Sequence, residues 1–341
     1  MHGGNIYSGK IKYDFSVNLN PYMPTENIVN AIRDSIVSVT NYPEYDSDRL
    51  TTSISEKLCI NKEYITVSAG ASEAITAITR AINADSGIIF APAFSGYERA
   101  LESCGVSDIE YRLCEDSDID EVIENDGKKV LYFLASPSNP IGKLIPKSQI
   151  IELYKKIKDS NGYLILDECF INLSDNPQNT LITDISEDTD FYDRLIIVRS
   201  FTKTYSIPGI RLGYCVCTNS HLNEIIQINM PEWNISTIAS EAGIACLKED
   251  LLECGKFIQD SRREMCSKLR ELGLKVYDSN SVYVVFQTEI DMYKRLLEKG
   301  ILIRDCSDYK GLGKGYYRVS VKKTEDNMML LNAIKEVCDG R

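Results

Sequence analysis

The stretch "RLIIVRSFTKTYSIPGIRLGYCVC", Arg194–Cys217, sets two short apolar runs on either side of a polar loop. A strand with one wet face alternates apolar and polar residues; runs that are apolar at successive positions fit strands covered on both faces. The loop between them carries Ser200, Lys203 and Arg211. A hydroxyl, an amine and a guanidinium at the mouth of a buried strand need a partner, because charge leaving water without one is costly. That partner should define most of what the protein does.

The same texture extends outward from about Lys62 to Val216. Strand candidates are "YITVS", "GIIFA", "SDIEYR", "KVLYFLA", "GYLILDE", "RLIIVRS" and "GYCVC". Between them lie amphipathic stretches such as "SEAITAITRAIN" and "KSQIIELYKKIKDSNG", the second stopped by Asn161-Gly162 as a helix C-terminus should be. This alternation predicts an α/β architecture, a mostly parallel sheet of seven strands sandwiched by helices. After about Trp233 a long helical region, "STIASEAGIACLKEDLLECGKFIQDSRREMCSKLRELG", precedes "VYVVFQ", "ILIRDC", "YYRVSV" and a final helix to Val337. Helices grouped before strands predict a smaller α+β domain. The start, with "YDFSVNLNPYMP", is too rich in Asn and Pro for regular structure and reads as an arm. The expected division is an arm over 1–30 packed with the small domain, a large domain over 31–235 and a small domain over 236–341.

The bulk numbers bound the partners. The chain has 341 residues, 43% hydrophobic, and 50 acids against 38 bases give a formal charge of −12. Such a balance argues against a nucleic-acid or anionic-membrane surface, which needs clustered Lys and Arg, but leaves room for a small anion held by a few local cations. No apolar run approaches the ~18 residues of a spanning helix, and "MHGGNIYSGK" lacks the plan of a leader, so a cytoplasmic protein is expected. The 11 cysteines include no C-x-x-C pair and read as reduced core thiols. With only His2 and His221, metal sites and Ser-His-Asp triads are not expected.

In open α/β sheets ligands bind beyond the carboxyl ends of the strands, so residues just after each run belong together. After "YITV" comes "SAGASEA", small residues leading into a helix whose free N–H groups face any anion. After "FLA" comes "SPSNPIG" with Asn139, "LIL" ends on Asp167, and Ser200, Lys203 and Arg211 follow. Singly, Asn139 is a turn former, Asp167 a helix cap and Lys203 a solvated lysine. As a set they complement a pyridine ring bearing a phosphate, a ring nitrogen, a phenolic oxygen and an aldehyde.

On these residues the chain resembles the fold-type I pyridoxal-phosphate enzymes of the aspartate aminotransferase superfamily, over nearly its whole length. The resemblance implies pyridoxal 5'-phosphate as cofactor and Lys203 as its covalent attachment. It implies that Ser200, Arg211 and the loop Ala69, Gly70, Ala71 hold the phosphate. By the same likeness Asp167 pairs with the ring nitrogen, Asn139 bonds the phenolic oxygen, and Phe94 of "APAFSGY" stacks on the ring. Tyr42 of "NYPEY" matches a tyrosine that reaches the neighbouring subunit's phosphate, implying a homodimer.

Within that superfamily the chain is similar to the group of histidinol-phosphate aminotransferases and threonine-phosphate decarboxylases. "HGGN", "RDCSDYKGL" and "SFTKTYSIPGIRLGY" look like the decarboxylase pattern, as does "DECF", where aminotransferases carry a tyrosine and this chain has Phe170. The likeness implies that Arg318 of "YYRVSV" takes an α-carboxylate and Arg304 of "ILIRDC" a substrate phosphate, with His2 and Asn20 helping from the arm. Asp308 departs from the decarboxylase pattern, which has asparagine there. The implied activity is decarboxylation of L-threonine O-3-phosphate to (R)-1-aminopropan-2-yl phosphate in cobalamin biosynthesis; the alternative is an aminotransferase acting on histidinol phosphate. "GLGKG" at Gly311 does not fit a phosphate-loop spacing and reads as a flexible connection.

Overall fold

In the computed structural model, residues 3–7, 10–113, 127–185 and 187–340 are described. A short strand in the arm, β1 (Tyr13–Asp14), is followed by β2 (Ile65–Ser68), β3 (Ser86–Ala91), β4 (Ile109–Leu113), β5 (Val130–Ala135), β6 (Tyr163–Asp167), β7 (Leu195–Ser200) and β8 (Gly213–Cys217). The seven from β2 to β8 form one sheet in the order β2-β8-β7-β6-β5-β3-β4. Neighbours from β7 through β6, β5 and β3 to β4 run parallel, and β8 lies antiparallel to both β7 and β2. Each of the seven strand candidates thus becomes a strand of one mostly parallel sheet.

Alternate residues feed two cores, as the period of two requires. Leu164, Leu166, Leu195, Ile197 and Val216 face one side, with Leu153, Ile157, Ala239 and Ala242 from helices Lys147–Asp159 and Thr237–Cys246. Ile165, Ile196, Val198, Cys215 and Cys217 face the other, with Ile75 and Ile78 of helix Ala71–Ile82 and Ile226 of helix Ser220–Ile228. Strands β3 and β8 are buried at every position, which is why they read as unbroken apolar runs.

The C-terminal part adds β9 (Lys275–Tyr277), β10 (Tyr283–Gln287), β11 (Ile301–Leu302), β12 (Arg304–Asp305) and β13 (Tyr316–Ser320). An antiparallel sheet runs β12-β13-β10-β9, while β11 pairs in parallel with β1 of the arm. A third core packs this sheet on helices Leu252–Glu271 and Thr324–Asp339 through Met265, Leu269, Val284, Phe286, Leu330 and Ile334, with Phe15 of the arm among them. The stretch expected as one long helical region divides at Leu247–Leu251. Its first half buries Ala239, Ala242 and Cys246 beside the seven-stranded sheet, its second half Met265 and Leu269 beside the small sheet. One straight helix could not serve both cores. Among the described residues no helix is long and apolar enough to cross a membrane.

Candidate active site

The carboxyl ends of β5, β6 and β7 converge, since Ala135 pairs with Asp167 and Asp167 with Val198, two residues before Ser200. They open onto a cavity of about 440 Å³ lined by Ala71, Phe94, Asn139, Asp167, Phe170, Ser200, Lys203, Arg211, Arg304 and Arg318. Ten residues chosen from the sequence therefore meet around one space.

Asp167 is held on both oxygens. Oδ2 accepts from the Tyr97 hydroxyl at 2.5 Å and Oδ1 from the Cys169 N–H at 2.9 Å. Burial and the adjacent carboxylate push the Tyr97 hydroxyl well above its ordinary pKa, so it stays a donor. The Phe94 ring stands edge-on to Tyr97 with centroids 5.8 Å apart. Lys203 lies on a one-turn helix, Phe201–Thr204, opened by Ser200, whose hydroxyl accepts the Thr202 N–H at 3.1 Å. Its amine is lowered to about 8, first by burial and then by the like charges of Arg318 and Arg211. Phe170, packed edge-on against Tyr283, turns its ring to Lys203 with Nζ 6.0 Å from the centroid.

The anion-facing end is built from backbone. Gly70, at φ +92°, precedes helix Ala71–Ile82, and a Cβ there would come within 2.8 Å of Arg211 Nη2. Glycine thus lets the guanidinium lie against the helix start. Of the loop residues named from sequence, Ala71 reaches the cavity together with Ser72, whereas Ala69 and Gly70 do not line it. The Ala69 N–H goes to Glu73 Oε2 at 2.6 Å and the Gly70 N–H to the Ser68 carbonyl at 2.7 Å.

At the opposite end stand the two arginines. Arg304 on β12 and Arg318 on β13 are directly paired in register, and only 8% and 5% exposed. Like charges opposite one another on a sheet repel, so the pair makes sense beside anions. Arg318 donates to Asn139 Oδ1 and, at 2.9 Å, to the Ser16 carbonyl, with its guanidinium 5.4 Å from the Tyr283 centroid. Since the Asn139 oxygen also accepts from the Tyr309 hydroxyl at 3.3 Å, its Nδ2 is the end left to donate into the cavity. Arg304 donates to the Asp305 carbonyl and to both oxygens of Asp308, at 2.8 and 3.0 Å.

Besides Ala69 and Gly70, Asn20 does not line this cavity, while Tyr42 was expected at a neighbouring subunit's phosphate and His2 is not among the described residues. Asn20 is buried with its amide donating to the Thr204 carbonyl at 2.9 Å and to Cys254 Sγ at 3.3 Å, while its oxygen accepts from the Tyr22 N–H. It fastens the arm beneath Lys203, whose carbonyl accepts the Asn20 N–H at 3.1 Å, and does not line the cavity. The arm contributes Gly3, Ser16 and Asn18 instead. Tyr42 is 81% exposed, away from the cavity, with its ring 5.0 Å from that of Trp233. His2 lies outside the described residues. Sequence reasoning passed over Tyr97, Tyr309, Ser16 and Asn18. All four stood inside quoted stretches, Tyr97 ending "APAFSGY", Tyr309 within "RDCSDYKGL", and Ser16 and Asn18 within "YDFSVNLNPYMP", but nothing in the spacing said where their side chains point.

A mostly parallel seven-stranded sheet with this polar set at its carboxyl end defines the fold-type I class of pyridoxal-phosphate enzymes. The family model for aminotransferases of class I and II matches residues 10–334, and the chain belongs to that family. It is 31% identical over 334 residues, 95% of this chain and 92% of the relative, to histidinol-phosphate aminotransferase 2 of Archaeoglobus fulgidus. It is 28% identical over 357 residues to the threonine-phosphate decarboxylase of Salmonella typhimurium, covering 99% and 97% of the two chains. Among solved structures, the histidinol-phosphate aminotransferase of Clostridium acetobutylicum superposes with a TM-score of 0.88 at 27% identity, covering 96% of this chain and all of that one. The family uses pyridoxal 5'-phosphate. The donors present suit that group: a doubly held carboxylate, a buried amine of lowered pKa, an aromatic ring, and a guanidinium over a helix start in one cavity.

Proposed function

We propose that this chain is a pyridoxal-phosphate-dependent lyase that decarboxylates L-threonine O-3-phosphate to (R)-1-aminopropan-2-yl phosphate, a step of cobalamin biosynthesis, and works as a cytoplasmic homodimer. In this reading Ser200, Arg211 and the helix start at Ala71, with the loop Ala69–Gly70 behind it, hold the cofactor phosphate by charge-assisted hydrogen bonds. Asp167, aligned by the Tyr97 hydroxyl and the Cys169 N–H, would pair with the ring nitrogen. Asn139 donates to the phenolic oxygen, Phe94 covers the ring, Lys203 makes the covalent attachment, and Tyr42 serves the partner's site.

The cofactor supplies the electron sink that makes the broken Cα–carboxylate bond affordable. Arg318 would hold the carboxylate and Arg304 the distal phosphate, so that the two arginines fix how the substrate's Cα is presented in the cavity. Carbon dioxide leaves with the bond broken, and Lys203, whose amine both takes and gives a proton near neutral pH, returns one proton to Cα.

The observation that carries the lyase reading is Phe170. It stands at 7% exposure against Lys203, in the position where aminotransferases of the resembling group have a tyrosine hydroxyl. The second reading, an aminotransferase acting on histidinol phosphate, is favoured by the relatives of that name that match nearly full length. The two part in one assay. Incubated with O-phospho-L-threonine, the holoenzyme is expected to release carbon dioxide in step with substrate loss. No release at millimolar substrate, together with amino transfer from histidinol phosphate to 2-oxoglutarate, would replace the first reading by the second.

A further inference from the structure

Tyr309 touches the cofactor end and the substrate end of the cavity at once. Its hydroxyl donates to Asn139 Oδ1 at 3.3 Å and accepts from Arg318 Nη1 at 3.5 Å, while its ring carries the Arg304 guanidinium 5.0 Å from the centroid. The turn after β12 places it: the Tyr309 N–H goes to the Cys306 carbonyl at 3.1 Å, and its carbonyl accepts the Leu312 N–H at 3.0 Å. Asn139, Arg318 and Tyr309 thus form a closed triangle. Arg318 Nη1 donates to both of the others, and Tyr309 donates to the Asn139 oxygen.

We infer that Tyr309 is a positioning residue, the stand-in donor that keeps the Asn139 amide turned with Nδ2 to the cavity when a substrate carboxylate draws Arg318 away. This rests on the proposed roles of Asn139 and Arg318. A carboxylate makes charge-assisted bonds to a guanidinium, stronger than those of a neutral amide oxygen, so it takes Nη1 from Asn139. The Asn139 oxygen then loses one of its two donors and keeps the Tyr309 hydroxyl. Without that hydroxyl the oxygen is left bare, and an amide whose two ends are nearly the same size is free to turn its acceptor toward the cavity. The hydroxyl therefore matters most with a carboxylate bound, and little for a ligand that leaves Arg318 in place.

Titration calorimetry on the holoenzyme tests this with 3-phosphonooxypropanoate and propyl phosphate, which differ in the carboxylate and lack the amine needed to react. The wild type is expected to prefer the carboxylate ligand, and Arg318→Gln to lose that preference. In Tyr309→Phe, which keeps the ring under Arg304, the preference falls by about tenfold, the scale of one buried acceptor left without a donor, and propyl phosphate binds as before. A preference kept in Tyr309→Phe overturns the inference, and so does an equal loss for both ligands, the mark of a merely structural role. Wild-type protein that binds the two alike refutes the reading of Arg318 together with this one. Neither ligand is turned over, so these outcomes are separate from the carbon dioxide assay: a holoenzyme that releases none yet shows the Tyr309-dependent preference refutes the lyase reading alone.

Discussion

Lys203 shows how a single residue depends on its surroundings. Its amine is lowered from the ordinary lysine value to about 8 by burial first and by Arg318 and Arg211 next. Between pH 8 and the unfolded-state value near 10.5, the folded chain therefore binds fewer protons here than the unfolded chain. The sign follows: the cost of burying a charged Lys203 is fully present below pH 8 and is relieved as pH rises through that window. The neutral amine is the nucleophile, so the rate at which the apoprotein takes up pyridoxal 5'-phosphate should rise with pH around a midpoint near 8. Replacing Arg318 by Gln removes one lowering charge and should move the midpoint upward by several tenths of a pH unit or more, on the order of a surface-to-buried charge interaction. Absorbance-monitored uptake across pH checks this, and a midpoint that stays put or falls in Arg318→Gln refutes the coupling.

Elements explain why the cavity's two ends stay in position. Gly213 opens β8 opposite Ser200 of β7, and a Cβ added there would meet the Arg199 carbonyl at 2.8 Å, the Ala71 nitrogen at 2.9 Å and the Gly70 carbonyl carbon at 3.0 Å. All three are backbone atoms, which cannot swing aside as a side chain would. Gly213→Ala should push β8 away from the start of helix Ala71–Ile82, costing about 1–3 kcal/mol of stability. The same shift should weaken cofactor binding at least about tenfold, since a phosphate cradle misplaced by a fraction of an ångström loses its hydrogen bonds. Urea unfolding and cofactor titration of the variant measure the two effects. At this scale six strands of the large sheet were legible because each is apolar enough to announce burial, whereas β4, the half-buried edge strand IEYRL, showed itself by its alternation of apolar and polar residues. By contrast β9 is three residues long, with Lys275 exposed and Val276 and Tyr277 only half-buried, too short to carry a periodic signal. The break at Leu247–Leu251 was equally silent, because no Gly or Pro marks it and only the presence of two separate cores demands it.

The whole molecule is joined by a few contacts that no local pattern announces. Arg262 of helix Leu252–Glu271, 3% exposed, donates to both oxygens of Asp175 at 2.6 Å and to the Ser281 carbonyl at 3.0 Å. Asn280 adds a bond to Asp175 at 3.1 Å and receives one on its oxygen from the Leu144 N–H, while Tyr283 donates to the Ser138 carbonyl beside Asn139. These bonds tie the small sheet, which carries Arg304 and Arg318, to the loop that carries Asn139. Arg262→Leu leaves Asp175 without its buried cation and should lower stability by about 3 kcal/mol in urea unfolding. A loss below about 0.5 kcal/mol, the level of a surface ion pair, would show that the two parts are joined by other means.

The sequence by itself determined the strands and helices of the large sheet, and the group of residues at its carboxyl ends that suits a pyridoxal phosphate. Those signals are local: an apolar run marks a covered strand, and the residue after it falls at the ligand-binding edge. Tertiary structure decided who pairs with whom. It sent the Asn20 amide to Thr204 and Cys254 instead of the cavity, set Tyr97 on Asp167, gave Arg318 neutral partners and Arg304 a carboxylate, and buried Lys203 deeply enough to lower its amine. Burial of a whole strand can be read along the chain, but a hydrogen-bond partner or a shifted pKa depends on distances between residues far apart in sequence, and those distances exist only once the chain has closed on itself.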